Sequence, residues 1–279
     1  MTVNMPRGSI CVTRRCNLKC KLCGVYAPYY ERPHHPTLEY LYQSIDRYFG
    51  IVDYVQEFSL AGGEVLLRKD LPQLIQRVRQ YEKKIGRLGV VTNGTIIPSD
   101  ELIDELKKFK IRLYLLVDDY GPDKSVNALA AYKKFQEVKG AEIVLRDYHS
   151  ADMYFSGWVD FGISENTAQK SPEESKKVFT KCAYPQKLDF CSSMMNGKIY
   201  SCAQLRRAIE LGLVAPDPSE VFDLFDSSQS DSSIKERINA LYNKDVLSAC
   251  AYCNGLCDDS IRYQPAEQLT KEEQELLWK

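Results

Sequence analysis

Four times in the first 150 residues a short apolar stretch gives way to a segment with helical spacing, and a fifth such stretch follows the last of them. Residues 9–13, 57–61, 87–92, 111–117 and 142–145 read as strands. Thr37 is placed to cap a helix in which Leu38, Leu41, Tyr42 and Ile45 repeat at helical spacing through Tyr48. Asp70 opens a helix carrying Leu74, Ile75 and Val78, Ser99 caps one carrying Leu102, Ile103 and Leu106, and another is expected from about Lys124 to Val138. Such alternation calls for a parallel sheet, because each crossover helix returns the chain to the same end of the sheet. Ligands of such sheets gather at the carboxyl ends of the strands. Those ends here hold a cysteine loop after residue 13, then Gly62-Gly63-Glu64, Thr92-Asn93-Gly94 and Asp118-Asp119-Tyr120. Each could be an ordinary turn, but four such features on one side of a sheet weaken that reading.

After about Gly157 the pattern changes. A helix is expected over residues 171–179, with Pro172 in its first turn. Residues 188–195 and 198–201 flank Asn196-Gly197, a strong hairpin signal. Residues 226–233 read as a polar loop, and 233–242 and 270–278 as helices. We find no internal repeat. The division expected is a first domain over residues 1–165, extending to about 180, and a smaller cysteine-bearing lobe over 166–279.

Composition bounds the function. The chain has 279 residues, 44% of them hydrophobic, and a net charge of −1. That balance suits a soluble globular protein and offers no basic surplus for nucleic acid. No apolar run approaches the roughly 18 residues of a membrane span, and the N-terminus lacks a secretory signal. A cytoplasmic location is expected. Ten cysteines are then anomalous, since in a reducing compartment they point to metal ligands or reactive thiols rather than disulfides. They cluster as Cys11, Cys16, Cys20 and Cys23 at the front and Cys182, Cys191, Cys202, Cys250, Cys253 and Cys257 at the back.

Cys16, Cys20 and Cys23 form C-x3-C-x2-C, a spacing that about 1% of shuffled chains of this composition would contain. A structural zinc site needs four ligands, and the only nearby candidates are His34 and His35, hemmed by Pro33 and Pro36. A cubane [4Fe–4S] cluster on three cysteines leaves one iron open to a small molecule. Cys11 lies within a strand and is expected to pack.

The stretch C16NLKC20KLC23, directly after a first strand, resembles the radical S-adenosylmethionine (SAM) superfamily over roughly residues 9–150. The resemblance implies a partial (β/α)6 TIM-like barrel and a cluster whose open iron binds the amino and carboxylate groups of SAM. It implies reductive cleavage of SAM to a 5′-deoxyadenosyl radical that abstracts hydrogen from an unactivated carbon, with an external one-electron donor such as flavodoxin or ferredoxin. Gly62-Gly63-Glu64 resembles the family's GGE motif, which contacts the SAM amino group; Thr92, Asn93 and Asp118 stand where members contact SAM or substrate. Leu22 replaces the usual aromatic residue beside the adenine, which it can still contact through its backbone.

The rear array, Cys182, Gly197-x4-Cys202, then Cys250-x2-Cys253-x3-Cys257, resembles the SPASM/Twitch extension of these enzymes, here a β-hairpin plus helix lobe. The resemblance implies one auxiliary [4Fe–4S] cluster on Cys182, Cys202, Cys250 and Cys253. Cys191 and Cys257 are left over, to serve as packing, as substitute ligands or as hydrogen-atom donors. A zinc ribbon on the same residues stays open. The cluster loop begins too early for a preceding domain that grips a leader peptide, so a small substrate is expected. The chain is most similar to the members acting on carbohydrates and aminocyclitols, of the inosamine dehydrogenase and aminoglycoside epimerase types. Arg146-Asp147-Tyr148-His149, Trp158 and Asp160 would offer polar and aromatic groups to a hydroxyl-rich ligand; Tyr148 and Trp158 could equally be core and Arg146 a solvated ion pair. The expected reaction is dehydrogenation or epimerisation at a carbinol carbon. Peptide maturation and a zinc-stabilised binding module are the alternatives.

Overall fold

A computed structural model describes residues 1–190 and 192–277. Strands β1 (Asn4–Thr13), β2 (Tyr54–Gly62), β3 (Ile85–Thr92), β4 (Arg112–Asp119) and β5 (Glu142–Asp147) alternate with helices α1 (Leu38–Ile51), α2 (Leu71–Arg79), α3 (Asp100–Leu106) and α4 (Ala128–Phe135). Each neighbouring pair from β1 to β5 is parallel. The expected caps are in place: Thr37 Oγ1 accepts from the Tyr40 N–H and Ser99 Oγ from the Leu102 N–H. Helix α4 starts later than expected. Gly121 and Ser125 form a turn, and Ser125 Oγ donates to the carbonyls of Asn93 and Asp118, tying the β3 and β4 loops together.

The second half begins with α5 (Pro172–Lys181), where Ser171 and Glu174 close a reciprocal capping box. Helix α6 (Ala183–Lys187) leads to β6 (Ser192–Met195) and β7 (Lys198–Tyr200), joined at Asn196 and Gly197, both with positive φ as the tight hairpin requires. Then come α7 (Ala203–Glu210), β8 (Val221–Asp223), α8 (Asp231–Leu241) and α9 (Lys271–Leu277).

Among the described residues the strands form one eight-stranded sheet in the order β5-β4-β3-β2-β1-β6-β7-β8. This is the mixed α/β architecture of a partial TIM-like barrel. The sixth parallel strand comes from the second half and does not lie beside β5: β6 pairs with β1, matching Ile10 to Met194. One hydrophobic core runs from Ile10, Phe58 and Leu88 through Met194 to Phe222 and Ile238. Sheet and core are thus continuous across residues 165 and 166.

Candidate active site

The turn after β1 is fixed by close backbone contact. A Cβ on Gly62, at φ +151°, would lie 2.0 Å from the Thr13 carbonyl oxygen, and one on Gly63 would lie 2.3 Å from that of Arg15. The Gly63 and Glu64 N–H groups donate to those two carbonyls. Glycine is needed here because the end of β2 is pressed against the stem of the cysteine loop.

Cys16, Cys20 and Cys23 leave that stem with their sulfurs turned toward hydrogen-bond donors. Asn93 Nδ2 lies 3.5 Å from Cys16 Sγ and Gln268 Nε2 lies 3.3 Å from Cys20 Sγ. Cys23 Sγ faces the N–H groups of Val25, Tyr26 and Ala27. Burial pushes the Cys16 thiol up to about 11 and the Cys20 thiol up to about 12, and raises that of Cys23. The charge of Cys23 further disfavours ionisation of Cys16 and Cys20, and that of Cys16 disfavours ionisation of Cys20. Buried sulfurs that repel as anions yet meet N–H donors fit an iron–sulfur cluster, whose cationic irons hold the thiolates ionised. His34 and His35 do not join them. His35 Nδ1 lies 2.9 Å from Thr13 Oγ1, and among the described residues no three Cys, His, Asp or Glu side chains close around a single-ion site.

Gln268 belongs to a segment that sequence reasoning missed. Residues 267–269 lie antiparallel to the cysteine loop: the Lys21 N–H donates to Glu267 O, the Leu269 N–H to Lys19 O, and the Lys19 N–H to Gln268 Oε1. The only signal for this strap was a run of polar residues before α9, which has no periodicity.

Glu64 is fully buried. Its carboxylate accepts from Thr92 Oγ1 at 2.9 Å, the Asn93 N–H at 2.7 Å and the Leu66 N–H at 2.9 Å, which joins three of the expected SAM-contact residues in one network. Burial raises its pKa to about 7 against those three donors. Asp118 is held in a bidentate pair with Arg146, at 2.5 and 2.8 Å, and accepts from Tyr120 OH. Arg146 is therefore part of a largely buried pair rather than a solvated one. Tyr148 stacks on Tyr120, and Trp158 meets Tyr120 edge-on. Together with Cys20 and Ala266 these rings form a small apolar cluster against the cysteine loop. Leu22 lines a separate cleft with Tyr29, Asp160 and Phe161.

At the back, Cys182, Cys202, Cys250 and Cys253 line one apolar cavity with Phe179 and Phe190. Cys202 is the N-cap of α7, its Sγ accepting from the Leu205 N–H, and Cys182 and Cys253 face the N–H groups of Leu256 and Gly255. Burial pushes Cys250 up to about 11 and Cys202 up to about 12, and Cys253 well above its ordinary value. These four residues also fit a thiolate-held cluster. Cys257 sits beside them: a Cβ on Gly255 would touch both its sulfur and the Cys182 Cβ. Its Sγ contacts the Asn254 carbonyl, away from the Glu64 network. Cys191 lies outside the described residues. Cys11, in β1, has its Sγ 3.6 Å from Thr13 O.

Residues 10–148 match the family model of the Radical SAM superfamily, and the chain belongs to that superfamily through this domain. The cofactors of that superfamily are a [4Fe–4S] cluster and SAM. Among curated relatives, the GTP 3′,8-cyclase of Syntrophomonas wolfei subsp. wolfei is 31% identical over 118 residues, 41% of this chain and 35% of that protein. The GTP 3′,8-cyclase of Aquifex aeolicus is 31% identical over 141 residues, 49% and 42% of the two chains. The chain thus spans well under half the length of the curated relatives it matches. The crystal structure of BtrN in complex with AdoMet and 2-DOIA has the same fold, with a TM-score of 0.56 at 15% identity over 96% of this chain and 100% of that one. No helix among the described residues is long and apolar enough to cross a membrane.

Proposed function

We propose that this chain is a radical SAM oxidoreductase that removes hydrogen from a carbinol carbon of a carbohydrate-like small molecule. Cys16, Cys20 and Cys23 hold the SAM-binding cluster, and Cys182, Cys202, Cys250 and Cys253 hold one auxiliary [4Fe–4S] cluster. Residues 1–165 supply the radical SAM domain and 166–279 the auxiliary part, and a cytoplasmic setting suits its thiols. The observation that carries the reading is the single apolar cavity lined by those four rear cysteines.

When bound, the front cluster and SAM supply a carbon-centred radical, and an auxiliary cluster supplies a one-electron acceptor. The chain's own residues hold and shield the reactants. The backbone at Gly62 and Gly63 and the network of Glu64, Thr92 and Asn93 shape the SAM site. Leu22 and its cleft border the adenine side. Tyr120, Tyr148 and Trp158 keep water from the loop that carries Cys20. The largely buried pair Asp118–Arg146 fixes the carboxyl ends of β4 and β5 beside those rings. The fold shared with BtrN, a structure in complex with AdoMet and 2-DOIA, supports a small cyclic substrate.

The curated relatives named GTP 3′,8-cyclase favour a second reading, a nucleotide rearrangement. Anaerobically reconstituted protein with SAM and a reductant, offered sugars, aminocyclitols or GTP in D2O, separates the two. The proposal expects 5′-deoxyadenosine with a polyol and a product lacking two hydrogens. Solvent deuterium on carbon without that loss would mean epimerisation, with Cys191 or Cys257 as donor. Turnover of GTP alone, or of a peptide alone, would overturn it.

A further inference from the structure

Gln204 is two residues beyond Cys202 and is 2% exposed. It lines the cavity of Cys182, Cys202, Cys250 and Cys253. Its Oε1 accepts from the Tyr26 hydroxyl at 2.5 Å, while its Nε2 is buried with no hydrogen-bond partner among the described residues. A buried amide with one end satisfied and the other bare carries a desolvation cost that something in the cavity should relieve. The bare end is a donor, and four cysteines line the same cavity among apolar side chains. With the amide turned over, its carbonyl would be the bare end, and thiolates there would repel it.

The orientation is set from the other half of the chain. Tyr26 is three residues past Cys23, in the left-handed region at φ 60°, and its ring is buried. Arg207 lies over the rings of Tyr26, Tyr29 and Tyr30, and Arg206 Nη2 donates to Val25 O. Arg14, two residues before Cys16, pairs with Glu210 at 2.5 Å. Helix α7, which starts at Cys202, is therefore fastened along the segment that follows Cys23.

We propose that Gln204 is a positioning residue of the auxiliary centre: its Nε2–H donates to a sulfur of the cluster, and Tyr26, from the SAM-cluster loop, orients it. This rests on the auxiliary-cluster reading above. Hydrogen bonds to cluster sulfurs delocalise negative charge and raise the reduction potential. The geometry thus makes the auxiliary potential depend on a residue of the other cysteine loop.

The test is a redox titration of anaerobically reconstituted protein followed by EPR, on the parent and on the Gln204→Met and Tyr26→Phe variants. In variants that keep the parent's iron content, the auxiliary midpoint should shift to more negative potential, more in Gln204→Met than in Tyr26→Phe. The midpoint of the SAM-responsive cluster should stay in place. If Gln204→Met loses the second cluster, Tyr26→Phe carries the test, because it leaves the amide present but unanchored. Iron-replete variants with unmoved auxiliary midpoints overturn this proposal alone. A parent with about four iron atoms and a single SAM-responsive signal overturns the auxiliary-cluster reading and this proposal together.

Discussion

Glu64 is a buried carboxylate with three hydrogen-bond donors, and its behaviour should be visible without any cofactor. Its pKa is raised to about 7 by burial, above the ordinary carboxylate value. Between about pH 4.5 and 7 the folded state then binds more protons than the unfolded state, so this group lowers stability as pH rises through that window. The loss is on the order of 3 kcal/mol at pH 7 and above. Urea denaturation of the cluster-free protein against its Glu64→Gln variant should show that pH dependence only with Glu64 present. Equal slopes in both would show that the three hydrogen bonds cancel the effect of burial. A second test belongs to the sulfurs. Asn93→Ala and Gln268→Ala each remove an N–H donor from Cys16 or Cys20. Each should move the SAM-binding cluster to more negative potential in an EPR-monitored titration, and unchanged midpoints would deny those contacts a role.

At the scale of elements, Gly63 is held by contact and Gly197 by contact and conformation together. Gly63→Ala would push the end of β2 off the cysteine-loop stem, because its Cβ meets backbone at 2.3 Å and no side chain can give way. SAM affinity, measured by equilibrium dialysis, should fall at least about tenfold, or 1.4 kcal/mol. Gly197→Ala places a Cβ 2.3 Å from the Phe225 ring at φ +71° and should cost roughly 1–3 kcal/mol of stability by urea denaturation. The strands and caps of the first half were legible because each apolar run is bounded by a turn or a capping hydroxyl. Thr37 and Ser99 show the rule. Helix α7 was not. Its Leu205, Ala208 and Ile209 repeat at helical spacing, but it opens on a cysteine and carries Arg206 and Arg207, which serve the other half of the chain. Strand β8, three residues long, is fixed by pairing with β7 rather than by any local pattern. The start of α4 was placed too early because Ser125 is spent on joining two loops.

Across the whole molecule the two cysteine arrays are parts of one body. Strand β6 joins the sheet at β1, the strand that feeds the cysteine loop, and residues 267–269 return to clamp that same loop. Spacing and the family resemblance together singled out the cysteines and the strand ends on their side of the sheet. They could not find Gln268 or Gln204, whose roles come from long-range contacts between segments far apart in the chain. The cavity lined by Cys182, Cys202, Cys250 and Cys253 predicts about eight iron atoms per reconstituted chain. The double variant Cys202→Ala/Cys253→Ala should retain about four, still responsive to SAM. Loss of all iron in that variant would mean that the two sets do not load independently.

Everything proposed for the reaction depends on three thiolates of the first loop leaving one iron for SAM. EPR of the reduced, anaerobically reconstituted Cys202→Ala/Cys253→Ala protein, recorded before and after adding SAM, tests it most directly. SAM binding should change the cluster signal, with release of 5′-deoxyadenosine under reducing conditions. An unchanged signal with no 5′-deoxyadenosine, from a variant that retains its four iron atoms, would contradict it.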